Sequence, residues 1–241
     1  TCIGEPETVY ITIENWGPMD SMVLSTAQEN VEILSEAFII PQLGRERKIW
    51  VYLPPDYNES TDNYPVLYMH DAQNIFDTTT SYAGEWNVDE TLNSLFYESG
   101  FKMIVVGIEN GGEKRMIEYS PWTNVQYGEA EGDAYVDFIV NNLKPYVDKT
   151  FRTLSDTPNT AIMGSSMGGL ISFYATLKYP NVFGKAGIYS PSFWYSNKSY
   201  EFAKRQSKLS TSKMYFLVGD NEGKSMDSDM VKMTRLMITS G

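Results

Sequence analysis

The stretch Asn159–Pro180, "NTAIMGSSMGGLISFYATLKYP", joins an apolar run, a Gly-Ser-Ser-Met-Gly-Gly cluster and apolar residues at helical spacing. Ala161, Ile162 and Met163 read as a buried strand, and Met167 to Tyr179 as a helix. Between them, Gly164-Ser165-Ser166-Met167-Gly168 matches G-x-S-x-G, the sharp strand-to-helix turn called a nucleophile elbow. So tight a turn strains the serine backbone and leaves no room for large flanking side chains. Ser166 then projects over the C-terminal edge of the sheet, where open α/β folds take their ligands. The Met167 N–H, first in the helix, is aimed at a developing oxyanion. A Gly-rich helix start without chemistry has a similar local sequence. The strand before the cluster and the helix after it favour the nucleophile.

Working outward, "VLYMHD", "KMIVVGIEN", "FGKAGIY" and "KMYFLVG" are short continuous apolar runs, as in strands covered on both faces. Helical spacing recurs in Gly84 to Gly100, where Val88, Leu92, Leu95 and Phe96 share a face. It recurs in Gly132 to Phe151, through Tyr135, Phe138, Ile139, Leu143 and Val147, and in Ser228 to Ile238. Upstream, Thr8 to Asn15 alternates as a strand does. Val31–Ile40 and Arg47–Leu53 read as antiparallel partners turning at Gly44. The expected fold is α/β: a mostly parallel central sheet with antiparallel N-terminal strands and helices on both faces. One domain covers residues 1–241, with no repeat or linker.

The bulk numbers exclude several functions. A net charge of −12 works against nucleic-acid binding and against an anionic membrane surface. No apolar run reaches the ~18 residues of a transmembrane helix. One cysteine and one histidine can form neither a disulfide nor a zinc site, no dinucleotide fingerprint is present, and no cofactor is expected. The chain opens "TCIGEPETVY" without Met, which fits removal of an upstream segment and makes Cys2 a candidate lipidation site. An exported location is therefore expected over a cytoplasmic one, although an arbitrary boundary would read the same way.

The chain resembles the esterase D-like family of α/β-hydrolases, which includes feruloyl and acetyl-xylan esterases, siderophore esterases and mycolyltransferases. The matching segments run from about Arg45 to Gly223: "RKIWVYLPPDY", "YPVLYMHDAQNIFD", "GEWNVDETL", "IVVGIENGGEKRMIEYSPW", "YVDFIVNNLKPYVDKTFRT", "AIMGSSMGGLISFYATLKYPNVFGKAGIYSPSFW" and "VGDNEG". The resemblance implies an oxyanion loop at "YMHDAQNIFD", with the amides of Ala72 and Met167 as donors and Asp71 and Gln73 beside them. Ala72 stands where the family usually has Gly. His70 matches the residue at the strand end beside that loop, so it orders the loop rather than acting as general base. The chain order Ser…acid…His puts the acid after the next-to-last strand. The family pattern implies Glu222, with Asp220 next and Asp227 and Asp229 behind; a solvated acidic loop is the plain alternative.

No histidine follows Glu222, so the triad lacks its base. The expectation is a C-terminally truncated copy of an active hydrolase, with little turnover of its own. Gln73, Asn74, Arg115 and the "SPSFW" loop are expected to bind substrate. Trp122, Phe193 and Trp194 would offer stacking surfaces for a sugar or an aromatic acyl group, unless they merely pack. Arg115 would meet a carboxylate or a polar oxygen.

The expected activity is a serine carboxylic-ester hydrolase acting on an acetyl or feruloyl ester of a polysaccharide. A siderophore trilactone comes second, because the acidic charge does not suit an anionic ferric complex. A simple short-acyl ester is third, and an S-formylglutathione hydrolase fits the motif order poorly. A non-catalytic carbohydrate-binding protein on the same fold is the rival from another class.

Overall fold

A computed structural model describes residues 24–207, 210–223 and 225–240. The expected strand at Thr8 to Asn15 and the Cys2 lipidation site lie outside them. Seven strands form one sheet in the order β1-β2-β4-β3-β5-β6-β7. They are β1 (Val31–Ile40), β2 (Arg45–Tyr52), β3 (Val66–His70), β4 (Ile104–Ile108), β5 (Thr160–Ser165), β6 (Lys185–Tyr189) and β7 (Lys213–Leu217). The β1–β2 hairpin turns at Gly44, whose φ of 60° favours glycine. It joins β4 antiparallel, and all later pairings are parallel. This is the mostly parallel α/β-hydrolase sheet that the sequence leads one to expect.

Alternation along the strands divides the core in two. Val51, Tyr68 and Val106 face one side, with Phe138, Leu170 and Phe173 of the helices that cover it. Trp50, Tyr52, Met69 and Val105 face the other, with Leu92 of α1 (Val88–Ser99). Period-two placement of apolar side chains on both faces explains why the strands read as unbroken apolar runs.

The short α2 (Arg115–Glu118) follows β4. The expected Gly132–Phe151 helix is α3 (Gly132–Phe138), a π-helical turn over Ile139–Leu143 and α4 (Lys144–Thr150). The widened turn precedes Pro145, which has no N–H for the carbonyl four residues back. After β5 come α5 (Met167–Lys178), α6 (Lys198–Gln206) and α7 (Met226–Ser240).

The start of α1 and the burial of one of its residues differ from the sequence reading. Gly84 and Asn87 have φ of 89° and 50°, so α1 begins at Val88 and not at Gly84. Leu95, expected on its buried face, is exposed. No helix among the described residues is long and apolar enough to cross a membrane.

Candidate active site

The parallel strands run in one direction, so their C-terminal ends share an edge, and the loops leaving it converge. Connections from β3 and β5 depart to opposite sides there, opening the crevice where α/β sheets accept ligands. Asp71 follows β3, Asn110 and Arg115 follow β4, Ser166 follows β5, Ser192 follows β6 and Glu222 follows β7.

Ser166 is the corner residue between Ser165, the end of β5, and Met167, the start of α5. Its φ/ψ of 59°/−119° lies outside the ordinary allowed regions and costs on the order of 1–3 kcal/mol. The flanking glycines permit it. A Cβ on Gly164 would come within 2.7 Å of the Gly168 backbone, and one on Gly169 within 2.7 Å of the Tyr189 carbonyl. The corner is pinned from β6: Ser166 N–H donates to Tyr189 O at 2.9 Å, and Ser192 N–H donates to Ser166 O at 3.1 Å. Ser166 Oγ lies 3.2 Å from Ser192 Oγ and is otherwise free to face the cavity. Asp71 (φ 61°) and Ser190 (φ 42°) also adopt positive φ, so strained backbone is concentrated at the ends of β3, β5 and β6.

A cavity of about 250 Å³ opens at this edge, lined among others by Ser166, Asp71, His70, Arg115, Tyr82 and Trp86. Asp71 is its best-anchored residue. Its Oδ1 accepts from Arg115 Nε at 2.7 Å and Asn110 Nδ2 at 2.7 Å, and its Oδ2 accepts from Arg115 Nη2 at 2.8 Å. Such a fork fixes direction as well as charge. Burial opposes the Arg115 charge, but the Asp71 carboxylate outweighs that, and the guanidinium pKa stands above its ordinary value. Arg115 therefore lines the cavity with its charge already matched, in contrast to the free substrate clamp expected from sequence.

Ala72 begins a 3-10 turn, Ala72–Asn74, with its methyl buried in the core. Gln73 Oε1 accepts the Asn110 N–H at 3.1 Å, and Asn74 Oδ1 accepts the Tyr82 N–H at 3.1 Å. Gln73 thus braces the loop, while Asn74 reaches the cavity.

His70 is 2% exposed, between the rings of Tyr119 and Tyr135. Its Nδ1 sits 3.0 Å from the Tyr135 hydroxyl, and burial pulls its pKa down to about 4. It is a neutral, enclosed imidazole at neutral pH, bonded to Tyr135 of α3.

Glu222 lies on the loop after β7, exposed, with Oε1 accepting the Gly219 N–H at 3.0 Å. It does not line the serine cavity. Asp220 and Asp227 are exposed, and Asp229 accepts from the Tyr200 hydroxyl at 3.0 Å. The aromatic expectations need correction. Phe193 is fully buried against Phe173 and Tyr200, and Trp122 packs edge-on to Tyr174 and Phe202. Phe193 is core and Trp122 is half-buried against it, because the loops after α2 and after β6 both fold back over α5 and α6. Trp194 is exposed but turns toward Tyr195, outside the cavity lining.

The cavity's aromatic walls are instead Tyr82 and Trp86, the latter stacked on Tyr189 at 6.1 Å between ring centroids. Sequence reasoning missed them and named Ser192 only as part of the "SPSFW" loop. The polar, Gly-containing "DTTTSYAGEWN" between a strand and a helix was the available signal of a functional loop.

The model of the "Putative esterase" family matches residues 40–239. The chain belongs to that family. It is 30% identical over 199 residues to the uncharacterized protein YbbA of Bacillus subtilis, covering 78% of this chain and 75% of that one. It is 25% identical over 154 residues to an endo-1,4-beta-xylanase/feruloyl esterase of Xylanibacter ruminicola, covering 61% of this chain and 20% of that protein. Siderophore hydrolase EstB from Aspergillus nidulans has the same fold, with a TM-score of 0.69 at 16% identity over 89% of this chain and 85% of the other.

Proposed function

We propose that this member of the esterase family is a serine carboxylic-ester hydrolase working through an acyl-enzyme on Ser166. The observation that carries the reading is the strained corner at Ser166, which leaves its Oγ at an open cavity beside the first amide of α5. In the proposed reaction, Ser166 Oγ attacks the ester carbonyl while a water molecule takes its proton and passes one to the departing alkoxide. The Met167 and Ala72 N–H groups take the oxyanion. Collapse expels the alcohol, and water then releases the acid.

His70 is a poor candidate for the base, because an enclosed imidazole with a pKa of about 4 accepts protons weakly at neutral pH. Glu222 is kept as the acid of the proposal on the family resemblance alone, since it does not line the serine cavity. For the substrate we favour an acetyl or feruloyl ester on a polysaccharide. The feruloyl esterase relative supports this, as does a cavity walled by Tyr82 and Trp86, which suits a flat ring.

A fluorophosphonate probe tests the chemistry. Covalent labelling that disappears in Ser166→Ala supports it, and unlabelled wild type would turn the reading to a non-catalytic carbohydrate binder. Side-by-side hydrolysis of acetylated xylan, feruloylated arabinoxylan and a siderophore trilactone ranks the substrates; trilactone preference would overturn the polysaccharide assignment.

A further inference from the structure

One loop away from the serine cavity, Glu85, Asp89 and Glu90 each bring a carboxylate oxygen within 4.8 Å of the others. Asp89 is fully buried. Its Oδ2 accepts the Gln28 N–H at 2.8 Å, whereas its Oδ1 is buried with no hydrogen-bond partner among the described residues. Glu85 Oε1 and Glu90 Oε2 are buried and unpartnered in the same way. Their other oxygens accept from Thr26 Oγ1 at 2.8 Å and Gln28 Nε2 at 3.4 Å.

No ion pair among the described residues neutralises any of the three. Residues 1–23, which precede this segment, contain no Lys, Arg or His to do so. Buried carboxylate oxygens without donors are costly. One shared proton would satisfy two of these oxygens and leave the third.

We propose that Glu85, Asp89 and Glu90 bind a hard divalent cation, calcium in preference to magnesium or zinc. The donors are all oxygens, with no Cys or His to select zinc. Calcium accepts six to eight oxygens in a flexible geometry at about 2.4 Å, which suits carboxylates from a loop and a helix start, whereas magnesium demands a near-ideal octahedron at about 2.1 Å and gives up its waters reluctantly. The N-terminus of α1 opposes a cation with about half a charge, which three carboxylates outweigh.

Such an ion joins the segment around Thr26–Gln28, the loop ending at Glu85 and the first turn of α1. Trp86, next to Glu85, lines the serine cavity and donates its N–H to Asn74 O at 2.8 Å. The cation would therefore fix one wall of that cavity. The inference does not depend on the chemistry assigned to Ser166.

The test uses the whole chain, stripped with EGTA and titrated with calcium by calorimetry, by thermal unfolding and by terbium luminescence sensitised by Trp86. The expected result is one calcium per chain and a Tm higher by about 5–10 °C at a hundredfold excess over Kd. Glu90→Gln should weaken binding about tenfold or more and Asp89→Asn should abolish it. A flat titration and unchanged Tm through the millimolar range would overturn the proposal. So would equal binding by wild type and Glu90→Gln, which would move the ion to another acidic surface. A Tm that ignores calcium but rises on mild acidification would assign the cluster to a shared proton and overturn it as well.

Discussion

Asp71 and Glu222 are both carboxylates just beyond parallel strands, on the same edge of one sheet, yet their surroundings differ. Asp71 is 9% exposed and held by a forked arginine and an asparagine. Glu222 is exposed and held by one amide of its own loop. The β3–β4 shoulder is thus wired before any substrate arrives, while the β7 shoulder has its acid standing in water. The difference teaches that a carboxylate's place in a motif does not tell its job. One whose hydrogen bonds are all taken by the protein is building the site, and one left free is available to orient another group.

The largest expected effect lies between the two shoulders. Ser166→Ala should remove whatever covalent labelling and ester turnover the chain shows, with the fold intact, read as probe incorporation and kcat/KM alongside circular dichroism. Activity that survives would remove the reason for comparing the shoulders at all.

Next come the shoulders themselves. Arg115→Ala leaves Asp71 buried without its cation and should cost about 3 kcal/mol in urea unfolding. Glu222→Gln should stay within about 0.5 kcal/mol, as exposed substitutions do, while reducing turnover of any active form. Equal stability losses would erase the contrast.

His70 sharpens it by pH. Its folded pKa of about 4 is below the ordinary 6.5, so the unfolded chain binds the proton first. Its contribution is fully present above pH 6.5 and is lost progressively as pH falls toward 4, amounting to about 3 kcal/mol. Urea midpoints measured across that window should fall less steeply in His70→Asn than in wild type. Parallel slopes would mean that the imidazole is not enclosed. The smallest effect concerns the walls: Trp86→Ala should raise KM for an aromatic ester about tenfold, and Trp194→Ala by no more than about twofold.

Much of this was legible from order and spacing. The G-x-S-x-G cluster between a strand and a helix located the corner, because only small neighbours allow that turn. His70 stands at the end of β3, enclosed by Tyr119 and Tyr135. The loops were read less well. Phe193 and Trp122 resembled substrate platforms, and whether an aromatic in a loop points out or in depends on how that loop lies over α5 and α6. Arg115 looked like a free cation because its partner Asp71 is 44 residues away in sequence.

By itself, then, the sequence determined the sheet with its helices, the position of the serine turn and the esterase family. Local periodicity and the backbone demands of glycine act over a few residues and leave their mark in the order of the letters. Tertiary structure alone decided which side chains meet: Asp71 with Arg115, Trp86 with Tyr189, and Gln28 with Asp89 and Glu90. Charge pairing and burial are settled by distances in space, and neighbours across a sheet edge carry no fixed spacing along the chain.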